Sequence, residues 1–324
     1  MKVKRIVIDT LEKNNIHLTK GKLDFFTYSL RPKYADNIAM APYGQNRDVA
    51  IVIQGPVKYE DDFTLESIKL YKKMFPDSEV ILATWDNESP EMLQKAKEYG
   101  AIISLSDYEG LGELKNSPVN LQMTNTLAGM KIAADLGVKY IAKTRTDQRI
   151  YCPKAWKLCK KMLDMFPLEA KTPDGASYVP QGRVIASSLG TFSNRLYNVS
   201  DLFLFGYAKD MVQYFSCPYD ERDYREIEQI KHECDETGDA FTYSKTRSGE
   251  IYFSTAYLES CGIELDWTMD HSLEMIKDRF IIIDQETIDL YWAKYGDKEY
   301  KWRKYRDNER ALTQLTFSDW LIKQ

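Results

Sequence analysis

Between residues 49 and 142 the sequence alternates short apolar runs rich in β-branched residues with longer segments whose apolar side chains recur at helical spacing. The first run, Val49–Gln54, is apolar on consecutive rather than alternate positions, as in a strand buried on both faces. Gly55-Pro56 stops it, and 61–75 then sets Phe63, Ile68, Leu70, Tyr71 and Phe75 near helical spacing before Pro76 breaks the pattern. Strands over Glu79–Trp85, 101–105 and 138–142 alternate with helices over 91–99 and 120–136, which Gly100 and Gly137 end. Strand and helix in strict alternation predict an α/β fold: a Rossmann-like, mostly parallel central sheet with right-handed crossovers and helices on its faces.

Beyond residue 151 the rhythm loosens. A helix is expected over 154–166, turns over 171–182, a strand over 201–206, a helix from 210, a polar stretch over 219–246, an amphipathic segment over 251–261 and a late strand over 279–283. The organisation predicted is an N-terminal extension over 1–46, one α/β domain over 47–290, and an extra C-terminal helical or irregular tail over 291–324. Aromatic and basic residues interleave from Tyr291 to Arg310. That mixture suits an anionic membrane surface, an acidic acceptor, or simple packing as a helix on the domain.

Composition excludes several classes. With 44% hydrophobic and 29% charged residues the chain is globular rather than disordered. A net charge of -5 argues against nucleic-acid binding, which needs a basic face. The five cysteines are odd in number and contain no CxxC pair, so neither a disulfide framework nor a structural zinc site is expected. The opening MKVKRIVIDTLEKNN has too short an apolar run for a signal peptide, and no eighteen apolar residues run together, so a cytoplasmic location is expected.

The chemistry concentrates after the fourth strand, in Lys143-Thr-Arg145-Thr-Asp147-Gln-Arg149. Ligands of open parallel sheets bind beyond the carboxyl ends of the strands. Arg145, Asp147 and Arg149 alternate, so an extended segment would turn them to one side, joined by Lys143. Three cations and a carboxylate there need a compensating partner. A diphosphate supplies one, with Asp147 holding a bridging divalent cation; an internal ion-pair network is the alternative.

The ordered set Ile-Val-Ile-Gln54-Gly55-Pro56, Phe75-Pro76, Thr84-Trp85, Asn120-Leu-Gln122 through Gly129, Lys143-Thr-Arg145-Thr-Asp147 and Phe280-Ile-Ile-Ile-Asp-Gln285 resembles the WavE family of lipopolysaccharide-synthesis proteins. That family is in turn similar to glycosyltransferases of the GT-A type. The resemblance implies a bacterial enzyme that transfers a sugar from a nucleotide-sugar donor to a hydroxyl of a lipopolysaccharide or capsular polysaccharide acceptor; peripheral contact with the inner membrane surface is an expectation from the tail alone. It implies that Gln54, Gly55 and Pro56 approach the nucleoside, with Thr84, Trp85 and Asp86 on the next loop. Asp107 would contact base or ribose, and Asn120, Gln122 and Asn125 would line the donor side. Each has a structural alternative: Gly55-Pro56 as a turn, Trp85 as a core aromatic, Asn120 as a helix cap.

One departure matters. Where the GT-A pattern has Asp-x-Asp for a metal, this chain has Arg145-Thr-Asp147. Lys143, Arg145 and Arg149 are then expected to take over part of the neutralisation, leaving one weakly held divalent ion, Mg or Mn, on Asp147. For the base that an inverting transfer needs, the resemblance favours Glu250, at the start of a helix, over Asp201; a helix-dipole partner and a cap are the respective alternatives. His17, His232 and His271 read as surface histidines. Two rival functions remain: nucleotidyl or alditol-phosphate transfer, and carbohydrate binding without catalysis, which the missing first carboxylate supports.

Overall fold

The computed structural model describes residues 31–39, 43–247, 249–294 and 313–322. The chain divides into two compact units, Met1–Lys33 and Tyr34–Gln324, and every element named below belongs to the second. The extension expected over 1–46 and the basic-aromatic tail beyond Lys294 lie largely outside the described residues, as does His17.

The strands are β1 (Val49–Gln54), β2 (Glu79–Trp85), β3 (Ala101–Ser106), β4 (Tyr140–Arg145), β5 (Gln148–Ile150), β6 (Val184–Ser187), β7 (Leu204–Tyr207), β8 (Phe280–Ile283) and β9 (Leu290–Trp292). Seven form one sheet in the order β3-β2-β1-β4-β7-β6-β8, and β5 pairs with β9 in a small antiparallel ribbon. In the large sheet β1 to β4 run parallel, β6 and β8 run parallel, and β7 alone opposes its two neighbours. This is the mostly parallel α/β sheet that the alternating pattern predicts.

The helices, in chain order, are α1 (Phe63–Met74), α2 (Pro90–Glu98), α3 (Pro118–Asp135), α4 (Ala155–Met165), α5 (Ala208–Tyr214), α6 (Tyr224–Thr237), α7 (Ala240–Lys245), α8 (Glu250–Ser260), α9 (Met269–Arg279) and α10 (Phe317–Ile322). Their ends are written in the sequence. Ser89 accepts a hydrogen bond from the Met92 amide at the start of α2, with Pro90 in the first turn, and Thr268 caps α9 in the same way.

Every residue of β1 is buried, which for its valine and isoleucine side chains amounts to about 1.5–3 kcal/mol each. α3 lies across β1 and β2 at Gly129, where a Cβ would fall 2.7 Å from Ala83 Cβ and 2.8 Å from Val52 Cγ1. Trp156 on α4 packs against Phe75, Phe203 and Phe205.

Several boundaries differ from those expected. β4 begins at Tyr140 rather than 138 and runs to Arg145, because pairing with β1 continues through Val52, Ile53 and Gln54 opposite Lys143, Thr144 and Arg145. The polar stretch over 219–246 contains α6 and α7, and β7 starts at Leu204 rather than 201. β5, β6 and β9, of three or four residues, are too short to leave a periodic signal. β9 pairs with β5, so Tyr291 and Trp292, the first residues of the expected tail, lie against the domain.

Candidate active site

β2 and β3 lie on one side of β1 and β4 on the other, so the strand order reverses between β1 and β4. Loops leaving the carboxyl ends of two such strands diverge and open a crevice. Gln54 and Arg145, in register, end these strands. The loops are sewn together: the Thr146 amide donates to Gln54 O at 3.0 Å and Thr146 Oγ1 to Pro56 O at 2.6 Å, while Thr64 Oγ1 donates to Thr146 O at 3.0 Å. Gly55 has φ 120°, a conformation other residues avoid, and a Cβ there would sit 3.1 Å from Thr146 Oγ1. Gln54 Oε1 is buried with no hydrogen-bond partner among the described residues.

Arg145 and Asp147 form a two-pronged ion pair, Nε to Oδ1 at 2.9 Å and Nη2 to Oδ2 at 3.2 Å. Trp292 Nε1 donates to Asp147 Oδ2 at 3.0 Å, and the guanidinium carbon lies 5.7 Å from the centre of the Trp292 ring. Burial by itself would raise the Asp147 pKa, but the Arg145 hydrogen bonds and charge outweigh it and hold the carboxyl below its ordinary value. Arg149 does not join them. The strand breaks at the turn after Arg145, and Arg149, on β5, is buried with its guanidinium 4.2 Å from the Phe63 ring centre. It donates to Ser67 Oγ at 2.9 Å, Phe63 O at 2.8 Å and Tyr151 Oη at 3.2 Å. The expected single-sided row of three cations is therefore two, with Arg149 a core residue.

Lys143 is wholly buried and donates to the main-chain carbonyl oxygen of Asp201. The Asp201 side chain in turn accepts from Gln122 Nε2 on α3. Burial pushes the Lys143 pKa down to about 8, resisted by the Asp201 charge and assisted by that of Arg145. Glu250, half-buried in the first turn of α8, is pushed up to about 7 by burial and then by the Asp201 charge. Lys143, Arg145 and the buried Tyr214 all feel both Asp201 and Glu250. Tyr214 Oη has no hydrogen-bond partner among the described residues. The structure thus brings together six residues singled out in sequence: Lys143 and Arg145 feel the charges of Asp147, Asp201 and Glu250, and Gln122 holds Asp201.

The residues expected on the donor side are placed differently. Asn125 is buried; with its amide oriented to satisfy its neighbours it donates to Ser106 Oγ and Thr84 O and accepts from Trp85 Nε1, tying α3 to β2 and β3. Asn120 is buried too and donates to Leu114 O and Asp220 O. Both amides are consumed in packing, so neither lines a ligand face. Trp85 is a buried aromatic set edge-on to Tyr108, with ring centres 5.1 Å apart. Thr84 Oγ1 donates to Glu88 Oε1 at 3.3 Å. Asp86 and Asp107 are exposed at the end of β2 and after β3 and accept from the amides of Tyr108 and Gly110.

The WavE lipopolysaccharide synthesis model matches residues 49–256, more than half of the chain. The chain belongs to the WavE family. The match spans β1 to α8 and so includes every element that supplies the cluster. No curated protein matches. Among solved structures, mouse xyloside xylosyltransferase 1 is similar at 9% identity and a TM-score of 0.34, over 75% of this chain and 86% of that one. A mannose-1-phosphate geranyltransferase from Thermus thermophilus is similar at 11% identity and a TM-score of 0.30, over 76% and 74%.

In this WavE-family chain the divalent cation expected on Asp147 does not fit the residues present. Both carboxylate oxygens are already engaged by Arg145 and Trp292, and among the described residues no group of three or more His, Cys, Asp or Glu side chains is placed to hold a metal. Sequence reasoning passed over three other residues. Glu88 accepts from the Val57 amide at 2.7 Å and from Tyr59 Oη, and so joins the loops after β1 and β2. Trp292 donates to Asp147, and the buried Tyr214 feels the charges of Asp201 and Glu250. Only contacts across the fold reveal them, since none lies in a recognisable motif. His271, expected on the surface, is half-buried with Nδ1 2.7 Å from Tyr197 Oη. No helix among the described residues is long and apolar enough to cross a membrane.

Proposed function

We propose that this protein is a glycosyltransferase that moves a sugar from a nucleotide-sugar donor to a hydroxyl of a lipopolysaccharide or capsular glycan. The observation that carries this reading is the meeting of two cations and two separate carboxyl groups at the switch point of an α/β sheet. Sugar transfer needs that division of labour. Positive charge must face the departing diphosphate, and a group able to take a proton near neutral pH must face the incoming hydroxyl.

Arg145, half-buried and paired with Asp147 at the end of β4, stands toward the departing diphosphate in this reading, while Lys143, wholly buried, contributes its field. Gln54, with its unpartnered amide oxygen, meets the nucleoside. Glu250, titrating near pH 7, takes the acceptor's proton as the acceptor oxygen bonds to the anomeric carbon. The bond from that carbon to the diphosphate breaks, and its electron pair leaves with the nucleotide. Asp201 is held by Gln122, and its field adds to burial in raising the Glu250 pKa and so its basicity.

The closure of Arg145 on Asp147 favours one second reading, a glycan-binding protein that has kept the fold without turnover. Incubation with a panel of nucleotide sugars and surface glycan distinguishes them. A transferase releases free nucleotide in proportion to acceptor, and Arg145→Ala abolishes the release. Nucleotide binding with no release from any donor would favour the second reading.

A further inference from the structure

The loop joining α7 to α8 delivers Glu250, and its backbone is held in an unusual form. Arg247 has φ 46° and Gly249 φ 54°. A non-glycine residue there persists only when its surroundings over-determine it. One side chain engages two carbonyls of this loop. Arg222 Nη1 donates to the Thr246 carbonyl and Nη2 to the Arg247 carbonyl at 3.0 Å. Its guanidinium also lies 5.7 Å from the centre of the ring of Tyr252, which follows Glu250 in the first turns of α8.

Arg222 is fixed from behind. Asp220, whose side chain is 1% exposed, accepts from Arg222 Nε at 2.7 Å and Nη2 at 3.1 Å, and from Ser117 Oγ at 3.4 Å. The main chain of Asp220 exchanges two hydrogen bonds with the Asn120 side chain, at 2.8 and 2.7 Å. Asn120 and Gln122 share the first turns of α3, and Gln122 holds Asp201. Both carboxyl groups of the candidate site are thus referred to one helix, Asp201 directly and Glu250 through Asp220 and Arg222.

We infer that Arg222, anchored by the buried Asp220, is a positioning residue that sets the Glu250 carboxyl through the carbonyls of Thr246 and Arg247. The inference rests on the reading of Glu250 as the proton acceptor. Only an arginine suits the task, because one planar fork must meet a carboxylate and two carbonyls at once. Losing it leaves α8 in place, held by Tyr252 Oη to Pro218 O at 3.0 Å, and leaves Arg247 tied to Glu259 at 2.6 Å, but removes the two hydrogen bonds that fix the carbonyls of the turn.

A double-mutant cycle on the full chain tests this. Arg222→Gln is expected to lower kcat roughly 10- to 100-fold, the range for a displaced catalytic group, with little change in donor KM. In a Glu250→Gln background the same change is expected to cost nothing further, and Arg222→Lys to fall between. Equal losses in both backgrounds, or none in either, would overturn the inference while leaving the transferase reading intact. A Glu250→Gln enzyme that turns over like the wild type would instead sink the reading itself. Should Arg222→Gln not fold, Asp220→Asn, which keeps shape and loses charge, must show the same dependence on background.

Discussion

Arg145 and Asp147, two residues apart, close a two-pronged ion pair across the turn that leaves β4, at 2.9 and 3.2 Å. The motif that in sequence resembles a metal-binding pair is here a cation with its own counter-ion, and Trp292 makes the third member by donating to Asp147. Replacing Asp147 by Asn strands a half-buried guanidinium and weakens the tie between β4 and the β5-β9 ribbon. A loss of about 1–3 kcal/mol is expected, read as a lower Tm in thermal denaturation. An unchanged Tm would show that the pair contributes nothing.

The rate should depend on pH in a narrow window. Glu250 must be ionised to take a proton, and its pKa of about 7 sets the acid limb of kcat. Lys143 must be protonated to oppose the departing charge, and its pKa of about 8 sets the alkaline limb. Activity is therefore expected to peak between the two, with Glu250→Gln losing the acid limb and most of the rate. A flat profile from pH 6 to 9 would remove both assignments.

Stability should carry the same signature with a definite sign. Because the folded pKa of Glu250 lies above its ordinary 4.5, the native state holds the proton more tightly between pH 4.5 and about 7. The associated stability is complete below pH 4.5 and is lost as pH rises through about 7. Glu250→Gln is accordingly expected to gain on the wild type by on the order of 2 kcal/mol between pH 5 and pH 8, measured by urea denaturation. A difference that does not vary with pH would mean that the carboxyl is not perturbed.

Arg149 supplies a contrast within the same stretch of chain. It sits against Phe63 and is bonded to Ser67, Phe63 O and Tyr151. Arg149→Met is expected to destabilise the protein by about 1–3 kcal/mol by leaving buried acceptors unpaired, with donor binding unchanged in calorimetric titration. A weakened donor affinity at unchanged stability would return Arg149 to the site.

Strand and helix order was legible because the core elements obey local rules. Val49–Gln54 is apolar at each of its first five positions, and Gly100 and Gly137 fall where their helices stop. The site was legible in part. Lys143, Arg145, Asp147, Asp201, Glu250 and Gln122 do converge, since charged residues at strand and helix ends have few other places to point. Arg149 misled because the alternation argument assumes an extended chain, and the turn at Thr146 and Asp147 cancels it. Asn120 and Asn125 misled because a polar side chain near a site and one that pins the scaffold beneath it look alike in sequence. Asp220, Arg222 and Trp292 were invisible, for the partners that give them their places, Asn120, Thr246 and Asp147, lie between 24 and 145 residues away.

The most direct measurement is the mass of the acceptor glycan after reaction with a competent nucleotide sugar. Transfer as described adds one glycosyl residue per released nucleoside diphosphate, and Glu250→Gln slows both together. A mass gain that includes phosphate, or nucleotide bound with no gain at all, would contradict the account.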